Sequence, residues 1–347
     1  MTDLTVTTKP VPDKYVMLGG RSLISQILMD EVDPACEPLG QDNKLIICPG
    51  LLGGTRVSTS GRLSIGGKSP LTGGIKESNS GGIVGRMMAK MGIKAIILEG
   101  KLECDSCNIL TVSAQGSELI PSAEYAGLGN YELTEQLKAK YGPKVGIISI
   151  GPAGEKQMSA ASIAVTDMDG MPNRFCGRGG LGAVMGSKGI KAIVFDGKDA
   201  KGVLFEMADE EGFNAIAKDW NKSLPAAKKG LTDFGTAGLV KPISAQNAFP
   251  TRNFSEGTFE GADKICGQAL AELIQSRGGK TGHPCQPGCL IRCSNVFHDE
   301  NGNHVVSALE YETIGLFGSN LGIDSLDVIA RLNRMCNDLG LDTMETG

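Results

Sequence analysis

The stretch HPCQPGCLIRCS places Cys285, Cys289 and Cys293 at four-residue steps, with Pro284, Pro287 and Gly288 interleaved. Such steps would stack three thiols on one helix face. Pro287 argues against that, because it lacks an amide hydrogen and clashes with the preceding turn. The segment therefore reads as a tight bent loop whose thiolates can converge. An iron–sulfur cube suits it, each cysteine binding a separate iron. Zinc also accepts thiolates, but structural zinc favours paired C-x2-4-C knuckles and four ligands, and here the fourth must come from elsewhere. Three small hydrophobic core residues are the third reading. A disulfide would leave one thiol over. The chain has ten cysteines, and Met1 to Lys14 is polar with no signal-peptide core. A cytoplasmic location is expected, where cysteines report metal or redox chemistry more readily than disulfides. Cys104 and Cys107, in CDSC, are a weaker signal that reads first as incidental, with a redox or metal pair as the alternative. Cys36, Cys48, Cys176 and Cys266 are isolated and expected to be buried.

Glycine is the second constraint: 49 of 347 residues, about twice the usual ~7%. No collagen period or low-complexity tract accompanies it, so ordered turns and close-approach loops are expected. Gly177-Arg-Gly179-Gly-Leu-Gly182 fits G-x-G-x-x-G literally. A dinucleotide fold needs a strand leading into the first glycine and a long helix after it, yet Pro172-Asn-Arg precedes and Gly186 and Gly189 interrupt. Gly67-Lys-Ser69 lacks the first glycine of a P-loop and runs into Pro70. There remain GGTRVSTSGR (Gly53–Arg62), KESNSGG (Lys76–Gly82) and NRFCGRGG (Asn173–Gly180). Backbone amides in glycine turns together with the guanidinium forks of Arg62, Arg174 and Arg178 suit a phosphate-bearing ligand; solvated turns are the plain alternative.

The class is α+β. Residues 1–200 form a β-sheet-rich unit, with strands read at Lys44–Cys48, Ala95–Glu99, Asn108–Val112, Val145–Ile150 and Lys191–Phe195 and helices at Ser22–Val32, Gly85–Met91 and Tyr131–Lys140. Residues 201–347 form a mainly helical unit. Its helices are read at Met207–Ser223, with Phe213, Ile216, Ala217 and Trp220 at helical spacing, at Asp263–Ser276 and at Leu326–Asn337. The chain stops at Gly347 without a cap or tail, and the helical unit is expected to be incomplete. The net charge of −5 argues against nucleic acid as a partner, and no apolar run approaches the ~18 residues that span a bilayer. In SALEYET, Glu310 and Glu312 share a face if the segment is extended and diverge if it is helical. A glutamate held near a metal accepts a proton once burial raises its pKa; a solvated helix start is the bland reading.

At these residues the sequence resembles the aldehyde ferredoxin oxidoreductase family, the tungsten or molybdenum enzymes with a bis-pterin cofactor. The resemblance is carried by LGGRSLISQIL (Leu18–Leu28), GRLSIGGKSPLTGGIKESNSGG (Gly61–Gly82), GIKAIILEGK (Gly92–Lys101), GRGGLGAVMGSKGIKAIV (Gly177–Val194), the cysteine loop, LEYETIGLFGSNLGID (Leu309–Asp324) and CNDLGLDTMETG (Cys336–Gly347). Their joint occurrence in this order is specific; no single piece is.

The resemblance implies a β-sheet-rich domain cradling two pterins, then helical domains. It implies Arg62, Asn79, Ser80 and Gly81 at the pterin phosphates and Arg174, Gly177, Arg178 and Gly179 at the same cradle, with magnesium between the phosphates. It assigns Cys285, Cys289 and Cys293 to a [4Fe-4S] cluster and puts Glu312 beside the metal, where it would assist proton removal; Glu310 is the second catalytic candidate. It gives Asn337, Gly340, Leu341 and Asp342 to the pterin motif. The implied activity oxidises a small aldehyde-like substrate to a carboxylate and passes electrons through the cluster to a ferredoxin-like carrier or an iron–sulfur subunit. The alternative is a non-catalytic fragment, split-enzyme half or paralogue that keeps the fold. A homo-oligomer is compatible with either. Several features depart from the family pattern. The cysteine spacing is x3 then x3 rather than x2 then x3, Asn337 replaces the usual aspartate, and Cys104 and Cys107 have no family role. Family chains are also much longer, and the fourth cluster cysteine, a second pterin motif and a catalytic histidine belong to the part not represented here.

Overall fold

The computed structural model describes residues 5–102, 107–198 and 200–347; Cys104 and Asp199 lie outside them. Continuous apolar runs make the central strands. β1 (Leu45–Pro49) is buried along its length and pairs antiparallel with β2 (Leu63–Lys68) and β4 (Ile96–Leu98), while β3 (Ile75–Ser80) closes the sheet on β2. A six-stranded sheet runs β6-β5-β10-β7-β8-β9. Its strands are β5 (Asn108–Ser113), β6 (Gly116–Pro121), β7 (Gly146–Ser149), β8 (Ile163–Val165), β9 (Arg174–Cys176) and β10 (Ile190–Asp196). Only β5 and β10 run parallel; every other neighbouring pair is antiparallel. Helices Val84–Lys90 and Leu181–Ser187 send Val84, Met88, Leu181, Val184 and Met185 into one core with Ile47 and Ile65 of the first sheet and Ile148 and Ile193 of the second.

A separate core gathers Phe249, Ile265, Ile274, Phe297, Ile314, Phe317 and Ile329 from the later part of the chain. That part is largely helical, as its periodicity suggests, but it also contains a three-stranded sheet, β11 (Lys280–His283), β12 (Ser294–His298) and β13 (His304–Val306). The cysteine loop is the connection between β11 and β12. These strands are short and lie among Gly, Pro and polar residues, so they give no apolar run to read. Helix Glu210–Ala227 forms as expected, yet the face set by Phe213, Ile216 and Trp220 is not its inner face. Ala217 and Leu224 are buried while Ile216 is 74% and Trp220 48% exposed. Asn221 fixes that orientation, accepting from the Ser58 amide and donating to the Arg56 carbonyl.

The two cores are joined by the helix Leu326–Leu339. Its C-terminal end rests on the turn before helix Pro152–Glu155, where a Cβ on Gly151 would overlap the Leu339 carbonyl. Asn130, at the start of helix Asn130–Tyr141, donates to the Asn337 carbonyl at 2.8 Å. This docking brings the polar edge of the first sheets against the cysteine loop.

Candidate functional site

A cavity of about 520 Å³ lies along that junction. The β2–β3 hairpin supplies one wall. Its register pairs Ser64 with Asn79 and Leu63 with Ser80, so Arg62 and Asn79 stand side by side. Arg62 Nε donates to Asn79 Oδ1 and Nη2 to the Asn79 carbonyl at 3.1 Å, while Nη1 lies 3.9 Å from Cys285 Sγ. One guanidinium thus touches both the glycine-rich hairpin and the cysteine loop. Ser80 and Gly81 line the same wall. A Cβ on Gly81 would lie 2.6 Å from the Cys285 carbonyl oxygen, which accepts from the Gly82 amide at 2.7 Å. Gly81 therefore sets the distance between hairpin and cysteine loop.

The short strand β9 supplies Arg174, Phe175 and, just beyond its end, Gly177 and Arg178. Arg174 is buried; Nη2 donates to Ser294 Oγ at 2.6 Å, Nη1 is 3.9 Å from Glu310, and Nε has no partner among the described residues. Gly177 faces Asp342, whose Oδ1 would lie 3.1 Å from a Cβ placed there. Asp342 Oδ2 is buried without a partner among the described residues, and burial raises the pKa of this carboxyl. Asn337 and Leu341 complete that side. Gly340 sits behind them as the left-handed cap of helix Leu326–Leu339 and lies outside the lining. Gly179 is also outside it, packed on the Lys76 side chain and accepting from Ser69 Oγ at 2.7 Å.

Cys285 and Cys293 open onto the cavity; Cys289 is buried beside them. The loop is pinned from outside, with the Leu290 amide donating to Ser58 Oγ at 3.0 Å and Thr232 Oγ1 to the Ile291 carbonyl at 2.7 Å. A hydrogen bond from the Cys285 thiol, then those from the Arg292 and Ile291 amides, lower the Cys289 pKa below the ordinary thiol value. The same contact raises Cys285, and burial raises Cys293.

Glu310 is extended and Glu312 helical, yet the two carboxylates reach one cavity. Glu310 precedes helix Tyr311–Phe317, and Glu312 lies in its first turn. Both line the cavity. Glu312 pairs with Arg178 at 3.6 Å at the half-exposed rim, a pair worth at most about 1 kcal/mol. Glu310 is held deeper by Thr236, whose hydroxyl donates to Oε2 at 2.6 Å and accepts from the Tyr311 amide at 2.8 Å. Burial raises the Glu310 pKa. A carboxyl raised in the folded state favours folding below its ordinary pKa, and that contribution is lost as pH rises through the folded value. Glu310→Gln is therefore expected to raise the melting temperature of the cofactor-free chain above that range and leave it unchanged well below. A pH series of thermal melts checks this, and parallel curves for the two proteins would remove Glu310 as the titrating group.

Arg21 and Thr236 join the lining with no sequence signal for them, and so do Lys76, Glu77 and Asn173, which lie in the glycine-rich loops but carry no individual signal. Glu77 ties Arg21 to the hairpin, accepting from Arg21 Nε at 3.0 Å and from Ser64 Oγ at 2.6 Å. Each needs the hairpin register or the docking of the second core to reach the cavity. Five cationic side chains face four carboxylates there, with Glu310 and Asp342 shifted toward their neutral forms. The orphaned Arg174 Nε and Asp342 Oδ2 await a partner that is anionic at one end and carries N–H groups at the other. A phosphorylated heterocycle such as a pterin fits that donor set.

Fold and site together define an α+β protein whose arginine-lined cavity abuts a cysteine loop. The family description "Aldehyde ferredoxin oxidoreductase, N-terminal domain" matches residues 1–197, and "Aldehyde ferredoxin oxidoreductase, domains 2 & 3" matches residues 214–347. The chain belongs to the aldehyde ferredoxin oxidoreductase family. The tungsten-containing aldehyde ferredoxin oxidoreductase of Pyrococcus furiosus is 37% identical over 336 residues, covering 95% of this chain and 52% of that protein. The protein of the same description from Thermococcus kodakarensis is 38% identical over 334 residues, with coverages of 95% and 52%. The active site complex BamBC of benzoyl coenzyme A reductase, solved with 1,5-dienoyl-CoA, shares the fold with a TM-score of 0.77 at 23% identity, over 97% of this chain and 51% of that one. The chain spans about half the length of the curated relatives it matches.

Proposed function

We propose that this chain holds the cofactors of a cytoplasmic tungsten-type oxidoreductase that converts a small aldehyde-like substrate to a carboxylate and delivers electrons to a ferredoxin-like acceptor or an iron–sulfur subunit. The observation that carries the reading is the convergence on one cavity of Arg62, Asn79, Arg174, Arg178, Asn337 and Asp342 with the cysteine loop. Arg62, Lys76 and Arg174 would bind the cofactor phosphates, with magnesium between them, and Asn337 and Asp342 would accept from its ring N–H groups. When bound, a tungsten or molybdenum bis-pterin supplies the two-electron redox step. Glu310, with Thr236 fixing Oε2, is the group suited to hold a proton at Oε1, and Glu312 orients Arg178 at the mouth. Cys285, Cys289 and Cys293 would hold a [4Fe-4S] cluster.

A second reading rests on the share of its relatives that the chain spans: a fragment, split-enzyme half or paralogue that keeps the cradle but not turnover. Anaerobic purification followed by metal analysis tests the proposal. About one tungsten or molybdenum and about four iron per chain, as one cube requires, are expected. Neither metal would overturn it, and both metals without aldehyde oxidation would favour the second reading.

A further inference from the structure

Behind the cavity wall runs a buried chain of hydrogen bonds with a fixed direction. Asp167 Oδ1 accepts the amides of Asp169 and Met171, each at 2.9 Å, and Oδ2 accepts from Asn173 Nδ2 at 3.0 Å. Asn173 Oδ1 accepts from the Tyr131 hydroxyl at 2.6 Å, and that hydroxyl accepts from Asn337 Nδ2 at 3.3 Å. Asn173 and Asn337 reach the cavity; Tyr131 and Asp167 do not. Burial pushes the Tyr131 phenol up to about 12, so its proton stays in place. Arg334 lies over the Tyr131 ring, 3.3 Å from its centre, and Asn130 holds the Asn337 carbonyl.

A carboxylate only accepts, so Asp167 obliges Asn173 to turn its NH2 inward and its oxygen toward Tyr131. The phenol has then committed its proton and offers a lone pair to residue 337. Asn337 meets it with Nδ2, which leaves Oδ1, without a partner among the described residues, for the cavity. We propose that Asp167, Asn173 and Tyr131 form a polarity-setting relay that fixes Asn337 as a neutral acceptor for an N–H edge of the heterocycle bound there. Tyr131, Asn173 and Asp167 are positioning residues. The proposal rests on the cofactor reading above and explains why an aspartate is absent at position 337: its inner oxygen would face the phenol lone pair.

The relay can be reversed at either end. Asp167→Asn keeps Oδ1 for the two amides but turns Oδ2 into a donor, so every link flips and Asn337 presents NH2 to the ligand. Asn337→Asp alone puts acceptor against acceptor. Combined, they match again, since the flipped phenol donates to the carboxylate introduced at position 337 and the net charge is unchanged. Tungsten and oxidised-pterin content of the whole protein, purified anaerobically, is the readout, with thermal melts confirming folding. Each single variant is expected to retain about tenfold less cofactor than the parent, the effect of one buried hydrogen bond made repulsive. The double variant should return to within about twofold, a coupling that a merely structural role would not produce. Losses that add in the double variant would overturn the relay. Should Asp167→Asn not fold, Tyr131→Phe cuts the relay. In that background Asn337→Asp is expected to lower retention by less than about twofold, because no phenol lone pair faces it; a tenfold loss there would overturn the proposal. A parent without tungsten or pterin refutes the cofactor reading itself, whereas additive losses from a loaded parent refute the relay alone.

Discussion

With the proposed cluster in the cysteine loop, Gly81→Ala is expected to strip most of the iron from the protein although it alters none of the proposed ligands. The added Cβ would meet the Cys285 carbonyl oxygen at 2.6 Å and Cys285 Cβ at 3.2 Å. The first is main chain, so no side-chain rotation relieves the clash. Either the hairpin or the cysteine loop must retreat, and the 2.7 Å bond from the Gly82 amide to that carbonyl goes with it. Overpacking plus a lost buried bond amounts to about 2–4 kcal/mol. Iron per chain after anaerobic purification, set beside the melting temperature, is the measurement. Full iron with an unchanged melt would show that the loop does not depend on this spacing.

Arg174→Met should separate holding the cofactor from holding the fold. Methionine keeps much of the side chain's length but removes a buried charge whose Nε has no partner. The Ser294 bond is lost, which offsets the relief of that orphaned donor, so the cofactor-free chain should change by no more than about 1 kcal/mol. Cofactor retention should fall far more, by about 3 kcal/mol or roughly a hundredfold, because an anion would be buried without its charged donor. Denaturant titration of the cofactor-free chain and phosphate released from the loaded protein give the two numbers. Equal losses in both would assign Arg174 to the scaffold.

Strands that bury both faces are legible from sequence. β1, β5, β7 and β10 carry apolar runs that declare themselves. β3 and β9 read as loops, because IKESNS and RFC turn Asn79, Glu77 and Arg174 toward the cavity and carry little apolar signal. The cysteine spacing and the arginine–glycine loops point to a site without any knowledge of the fold, since such residue types are rarely gathered for packing alone. Arg21 and Thr236 cannot be found that way. One enters through its bond to Glu77, and the other meets Glu310 across 74 residues of sequence. Asn173 stands inside a quoted loop, but its part depends on Tyr131 and Asp167, which only folding brings near.

The walls of the cavity come from residues near 21, 62–81, 173–178, 236 and 285–344. During synthesis the early sheets can complete their own core while the hollow still lacks a side. It takes shape only when the helix Leu326–Leu339 seats its end on Gly151. For the cofactor proposed above, entry would be easiest after the arginine-bearing hairpin has formed and before that late helix is seated.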